Sequence, residues 1–357
     1  MDTEMASWKS TGTYIVSGMC IFRVKRPPGS PPVFKACYVA RGFSPRQGVD
    51  FFQTFSPTPK MTTLRVLLHV AAQRDYELHS LDFCTAFLQG SLHKEIWLCR
   101  PPGFTGSFPA GTHWSLRWPV YGLCQAPREW QDTLKMTLAA LGFAPSTADP
   151  SLFLRTDTTL PPFYVLVYVD DLVFAIADTE ALAHVKSKLQ KRYTCTDLAP
   201  PSDESVEPSG PYPELVGCLI LGSTSVSWRS TRSSSVLNSS CEAEIYAGAM
   251  AAQELRWLTY LLTDLGEAPR SPPVLYVDDK AMLALYQEHR LEHITKHIAL
   301  RYFLARELQQ RGQLRLAYVA TRANTADIFT KALRPCDHQR CCAKLGIVPN
   351  WPHLLTS

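Results

Sequence analysis

The segment from Pro162 to Ile176 constrains this chain more than any other. It reads as two apolar runs, FYVLVY and LVFAI, separated by Val169-Asp170-Asp171. Runs of five or six β-branched and aromatic residues are short for a helix and suit buried strands. The break between them leaves room only for a short turn. The spacing therefore predicts a β-hairpin with two adjacent carboxylates at its tip. Neighbouring like charges repel and must be solvated or neutralised. A divalent cation does this well, because Mg²⁺ takes carboxylate and phosphate oxygens together. Ordinary turn chemistry also accounts for Asp after a strand.

The tetrapeptide Tyr168-Val169-Asp170-Asp171 recurs as Tyr276-Val277-Asp278-Asp279. The second copy runs into Lys-Ala-Met-Leu-Ala-Leu, which places its carboxylates where a strand enters a helix. The two copies are thus different structural sites. Upstream, Thr63 to Ala72 reads as a helix, Leu78 to Asp82 alternates like a strand, and Arg128 to Leu141 is a helix stopped by Gly142. Downstream, Val226 to Trp228 is a short strand. A helix from the capping box at Ser239 runs to Leu265, with Gly266 as its stop. Val274 to Val277 is a strand, Lys280 to Gln287 and His297 to Gln310 are helices, and Leu314 to Val319 is a strand. Asn324 is expected to cap a last helix through Leu333.

Residues 199–213 hold five Pro in fifteen positions and no apolar periodicity, which marks a linker or loop. It separates blocks of ordinary domain size. Charge is sorted along the chain. Residues 1–198 carry 20 basic and 16 acidic groups, 199–279 carry 4 and 11, and 280–344 carry 12 and 5. That pattern is compatible with a polyanionic partner. The apolar stretch from Phe163 to Val169 is far short of the roughly 20 residues a membrane helix needs. With no secretory signal visible and an odd, irregularly spaced set of 11 Cys, the expectation is an intracellular chain with reduced thiols.

Ordered motifs then carry a resemblance. They are Leu81-Asp82-Phe83-Cys84-Thr85-Ala86-Phe87-Leu88-Gln89-Gly90, Pro101-Pro102-Gly103-Phe104, Tyr121-Gly122-Leu123-Cys124-Gln125-Ala126-Pro127-Arg128-Glu129-Trp130, Asp149-Pro150-Ser151-Leu152-Phe153 and the first Tyr-Val-Asp-Asp. In that order they resemble the reverse transcriptase of copia-type long-terminal-repeat retrotransposons. The rear block resembles the ribonuclease H of the same polyprotein. It does so through Ser239-Ser240-Cys241-Glu242-Ala243-Glu244, Thr295-Lys296-His297-Ile298, Arg301-Tyr302 and Thr325 to Leu333.

The resemblance implies an α+β chain: a fingers-and-palm fold over 1–198, then a joint and connecting remnant over 199–222. A truncated mixed α/β ribonuclease H-like domain over 223–335 and a basic tail over 336–357 follow. It implies two-metal nucleotidyl transfer with Mg²⁺ on Asp82, Asp170 and Asp171, acting on an RNA or DNA primer-template and deoxynucleotides. Phe87 matches the family's aromatic gate against a ribose 2′-hydroxyl; a core Phe is the alternative. Gln125 matches a nucleotide contact, or a turn before a helix. Lys35 and Arg41 match finger residues near the triphosphate, or a solvated strand edge. In the rear block the hydrolase's metal carboxylates fall on Glu244, Asp278 and Asp327, with Glu242 as a runner-up for the first.

Departures from the family pattern matter as much. After Leu198 the primer-grip strand, thumb and connecting region are missing. No Asp or Glu lies between Glu214 and Glu242, so the hydrolase's first Asp is missing too. These losses predict poor placement of the duplex, and position is most of phosphoryl-transfer catalysis. They also predict an uncovered apolar face at Leu255, Leu258 and Leu262 and a loosely folded rear block. Cys37, Cys99 and Cys124 stand where related sequences often carry Arg or Lys, Asp279 replaces Asn, and Ile294 replaces Arg.

Two other readings compete. His289-Arg290-Leu291-Glu292-His293 spells a zinc-protease motif, and Cys336, His338, Cys341 and Cys342 form an irregular group of metal-ligand types. A defective copy with at most salt-sensitive nucleic-acid binding is the non-enzyme reading.

Overall fold

The computed structural model describes residues 14–26, 31–42, 54, 56–101, 104, 112–198, 218–221, 224–228, 240–287, 304–329 and 333–345. The Pro-rich stretch and the His289–His293 motif lie outside them. The chain divides into two compact units. The first is Met1–Pro59, Tyr76–Pro145 and Pro150–Pro200; the second is Lys60–Asp75, Ser146–Asp149 and Pro201–Ser357. The division thus differs from a single boundary at residue 198. Helix α1 (Met61–Arg74) and the turn at 146–149 come from the front of the sequence but group with the rear.

The first unit begins with strands β1 (Tyr14–Val16), β2 (Gly18–Lys25) and β3 (Val33–Ala40). It continues through β4 (Glu77–Phe83), β5 (Ile96–Cys99), β6 (His113–Ser115) and helix α2 (Ala126–Ala140). Then come β7 (Phe143–Pro145), β8 (Leu152–Arg155), β9 (Phe163–Tyr168) and β10 (Asp171–Ile176). Helix α3 (Thr179–Arg192) and β11 (Cys195–Leu198) close it. Six strands form an antiparallel sheet in the order β11-β4-β10-β9-β8-β7. β2 and β3 form a separate ribbon, and β1-β5-β6 a small sheet.

Alternation decides which face of the large sheet is buried. Leu81 and Phe83, Val165 and Val167, and Leu172, Phe174 and Ile176 pack with Trp130, Leu134 and Leu138 of α2 and with Leu182, Val185 and Leu189 of α3. Each such side chain contributes about 1.5–3 kcal/mol by leaving water. α2 has Pro127 in its first turn and meets Gly142 in the left-handed region, φ 86°. α3 is capped by Asp178, whose carboxylate accepts from the Glu180 and Ala181 amides, and Lys191 and Arg192 face its negative end.

The second unit adds the antiparallel pair β12 (Cys218–Leu221) and β13 (Thr224–Trp228), and helix α4 (Ser240–Asp264). β14 (Val274–Val277), α5 (Lys280–Gln287), α6 (Leu304–Gln310), β15 (Arg315–Tyr318) and α7 (Pro335–Lys344) follow. β14 and β15 pair in parallel. Ile245, Ala252 and Leu255 of α4 pack with Val277, Met282, Tyr286, Ala305, Leu308 and Leu314.

Polar ties explain why α1 belongs to this unit. The Lys60 amide and the Thr63 hydroxyl donate to the Asp149 carboxylate at 3.2 and 2.5 Å. Asp264, at the end of α4, accepts from the Ser146 hydroxyl, the Thr147 amide and hydroxyl, and the Ala148 amide. Trp257 Nε1 donates to the Ala148 carbonyl at 2.8 Å, and the Lys60 ammonium lies 3.7 Å from the Trp257 ring centre. Arg74 pairs with Glu267, and α1 packs against β13, whose Val226 is buried.

Two expectations are corrected here. Leu255, Leu258 and Leu262 are buried, not uncovered. Asn324 caps a shorter element than expected: its side chain accepts from the Ala326 amide in the first turn of a 3₁₀ helix, Thr325–Phe329, which follows another 3₁₀ turn at Thr321–Ala323. The tail holds helix α7, started by Pro335 and anchored by buried Cys341. Of the helix expected over 297–310, only Leu304–Gln310 falls among the described residues. Among them no helix is long and apolar enough to cross a membrane.

Candidate active site

Strand pairing brings the front carboxylates together. β10 lies between β9 and β4, and Asp171 stands directly opposite Asp82. Paired residues in a ladder share a face. Asp82 and Asp171 therefore sit on the face away from the buried Leu81, Phe83 and Leu172. Asp170 occupies the hairpin turn, and its carbonyl accepts from the Phe83 amide at 2.8 Å. Burial, then Asp170, then Asp82 pushes the Asp171 carboxyl above its ordinary range. Like charges directly opposite destabilise a sheet, and a cation at this edge would relieve them.

The turn itself is strained. Val169 takes a φ of 57°, a left-handed geometry that a β-branched side chain resists. The indole of Trp130 donates to the Val169 carbonyl at 2.7 Å and pins the turn from α2. Trp130 is also packed edge-on against Phe83 and Tyr193.

Tyr121 joins this site, and the sequence reading does not single it out. Its phenol is raised by burial, then by Asp170 and Asp82, then by Cys37. It lies within electrostatic reach of both carboxylates. Its ring packs on Phe87 at 4.6 Å. The only sequence signal was its place at the head of Tyr-Gly-Leu-Cys-Gln. Phe87 is half-buried, packed against the large core and against the cluster around Val16, Ile96 and Leu98. Gln89 ties the turn after β4 to the approach to β11, donating to the Cys84 and Thr194 carbonyls and accepting from the Thr194 amide.

Gln125 sits at the start of α2 with only 6% of its surface exposed. Lys35 is exposed on β3, and Arg41 is exposed just beyond it, its amide bonded to the Ser17 carbonyl. The approach of β3 to the Tyr121 loop is close. A Cβ on Gly42 would collide with the Gly122 carbonyl, and Gly122 itself has a φ of 95°. The Cys124 thiol donates to the Gly42 carbonyl at 2.7 Å, so this thiol has a local role.

The rear carboxylates come from three separate segments. Glu244 is half-buried in the first turns of α4, and Asp278 is half-buried just after β14. Asp327 lies in the turn Thr325–Phe329, and its side chain is outside the described residues. Asp279 accepts from the Met282 amide and so caps α5. Cys342 and His338 touch on α7. Among the described residues no three His, Cys, Asp or Glu side chains converge tightly enough to enclose an ion by themselves.

Comparison with known proteins adds two findings. The family model described as "Reverse transcriptase (RNA-dependent DNA polymerase)" matches residues 16–203. The chain is 28% identical to the Retrovirus-related Pol polyprotein from transposon RE2 of Arabidopsis thaliana over 452 positions, covering 90% of the chain and 31% of that protein. It is 23% identical to the Retrovirus-related Pol polyprotein from transposon TNT 1-94 of Nicotiana tabacum over 500 positions, covering 98% of the chain and 38% of that protein. The chain therefore spans about a third of these relatives. Both alignments are longer than its own 357 residues, so internal stretches of the relatives have no counterpart here.

Proposed function

Because this chain belongs to the reverse transcriptase family of copia-type retrotransposon polyproteins, we propose that its first unit is built for RNA-directed DNA synthesis at Asp82, Asp170 and Asp171. One observation carries the proposal: the register that sets Asp171 opposite Asp82 and puts Asp170 in the adjoining turn. The residues suit Mg²⁺. That ion uses one or two carboxylates and fills its shell with substrate phosphates and water, so no closed protein cage is needed. Magnesium held there would neutralise the crowded carboxylates and lower the pKa of a primer 3′-hydroxyl.

The chain's own residues do the rest. Asp82 and Asp170 would hold the metal, and Asp171 would support them from the same edge. The Phe87 ring, backed by Tyr121, meets the sugar of a deoxynucleotide and would clash with a 2′-hydroxyl. Lys35 and Arg41 meet the triphosphate. Gln125, largely buried, contributes an edge and the start of α2. Trp130 holds the turn in place, so the carboxylates need not reorganise as charge develops.

A second reading is favoured by the unmatched internal stretches of the relatives: this copy is impaired. Without a primer grip the duplex is loosely placed, and small misplacements cost about 100-fold in rate. The rear block over 223–335 is then a remnant of a ribonuclease H, with Glu244, Asp278 and Asp327 retained and its first Asp gone. Primer extension on a primed RNA template tests both readings. The expected result is slow, short addition abolished by Asp170→Asn. Addition that survives this change would refute the site; fast, long extension would refute the impairment. Cleavage of an RNA–DNA hybrid that depends on Asp278 would overturn the remnant reading.

A further inference from the structure

A cavity of about 280 Å³ opens in the second unit between α4, the loop from α4 to β14, and the turn after α6. Leu255, Leu308 and Leu314 are buried and form its apolar floor. Pro272 and Pro273 form one wall, and their fixed φ keeps that wall rigid. Tyr260 stands at the mouth, 53% exposed. It lies one turn beyond Arg256, on the same side of α4.

The charge of this cavity runs against its surroundings. Residues 199–279 carry 4 basic and 11 acidic groups. Arg256 and Arg270 are two of those four, and both line the cavity, whereas no acidic residue does. The acids nearest to them in sequence are engaged elsewhere. Glu254 accepts from the Ser227 hydroxyl, Asp264 holds the turn at 146–149, Glu267 pairs with Arg74 and Glu307 with Arg311. Neither Arg256 nor Arg270 has an acidic partner among the described residues. The rear carboxylates also lie apart. Arg256 is about 18 Å along α4 from Glu244. Asp278 follows the end of β14, while Pro272 and Pro273 precede its start.

We propose that this cavity binds a small amphiphilic carboxylate, its apolar body on Leu255, Leu308 and Leu314 and its charge on Arg256 and Arg270. A guanidinium grips a carboxylate through two parallel N–H donors. The floor supplies the complementary part, because an apolar body placed on it leaves water. Drug-sized ligands fill roughly 300–1,000 Å³, so this cavity suits a smaller body of about one or two rings. A phosphate ester carries its charge on a polar sugar and would leave the leucines wet. The proposal goes beyond the polymerase reading, and neither metal nor template enters it.

The test is isothermal titration of the full chain with 2-naphthoate and with its neutral counterpart 2-naphthamide, free of Mg²⁺. The expected result is one site for naphthoate and binding of the amide weaker by about tenfold or more, the loss of a charge-assisted pair. Arg256→Gln and Arg270→Gln should each weaken naphthoate about tenfold and leave the amide unchanged. Both arginines are exposed, so each variant should keep the melting midpoint of the unaltered chain. Thr259 also lines the cavity, and Thr259→Phe should fill it and abolish binding of both probes. Absence of naphthoate binding, equal affinity for the two probes, or full binding by the double arginine variant would overturn the proposal. So would full binding by Thr259→Phe. Adenosine monophosphate binding as tightly as naphthoate, with the same loss in the arginine variants, would also overturn it, since a phosphate would then be the ligand. Primer extension reads the front carboxylates separately, so either idea can fail alone.

Discussion

Asp264→Ala is the sharpest probe of how the second unit is held. Asp264 takes hydrogen bonds from the Ser146 hydroxyl at 2.6 Å, the Thr147 amide at 2.9 Å, the Thr147 hydroxyl at 3.0 Å and the Ala148 amide at 3.2 Å. A hydrogen bond to a charged group is worth about 1.5–3 kcal/mol net when well sheltered. Here the Thr147 groups are exposed and rehydrate on removal. The Ala148 amide keeps the Ser146 hydroxyl as a second acceptor. The four bonds together therefore amount to about 2–3 kcal/mol after solvent screening. In a unit of this size that lowers the melting midpoint by about 4–12 °C.

The pH dependence gives a second handle on the same residue. Burial works against the Asp264 carboxylate, but hydrogen bonds from Ser146, Thr147 and Ala148 outweigh it and hold the carboxyl below its ordinary range. A depressed folded pKa stabilises above the unfolded value of about 3.9 and is lost as pH falls through the folded one. Wild type and Asp264→Ala should thus differ most at pH 6, and the gap should narrow as pH falls below the unfolded value and through the folded one. Amide exchange read across 61–74 and 244–264 is the direct assay, with both segments losing protection together. Unchanged melting and unchanged exchange in α1 would refute the grouping of α1 with α4.

Millimolar Mg²⁺ should raise the melting midpoint of the first unit, and Asp82→Asn or Asp170→Asn should remove that rise; a rise that persists in both would place the metal elsewhere. Trp130→Phe keeps most of the packing but orphans the Val169 carbonyl, so it should cost about 1–2 kcal/mol in denaturant melts and slow primer extension further. Gly122→Ala forces a side chain into a left-handed position against the Ala40 carbonyl. It should destabilise the first unit by more than about 2 kcal/mol, measured as a shift in midpoint at constant slope.

The chemistry-bearing hairpin was readable because it is local. Two apolar runs around Val169-Asp170-Asp171 admit little besides a tight turn, and β9 and β10 end within a residue of the run boundaries. Helix α2 was readable for the same reason, through its apolar spacing and Gly142. The short 3₁₀ turns after Ala320 were not, because Asn324 suits a turn as well as a cap. Helix α7 was missed because its Cys and His read as metal-ligand types before they read as a helix face.

By itself the sequence determined the family, the hairpin and the identities of Asp82, Asp170 and Asp171, since these rest on residue type and short-range spacing. Only the tertiary structure decided that Asp171 faces Asp82, that Tyr121 shares their field, and that α1 packs with α4. Register between strands 88 residues apart in sequence is set by burial of Leu81, Phe83, Leu172 and Phe174 on one face, and burial belongs to the assembled sheet. The fate of the apolar face of α4 was decided the same way. From the sequence it lacked a cover; in the fold it has one, because hydrophobic surface takes whatever partner geometry brings near.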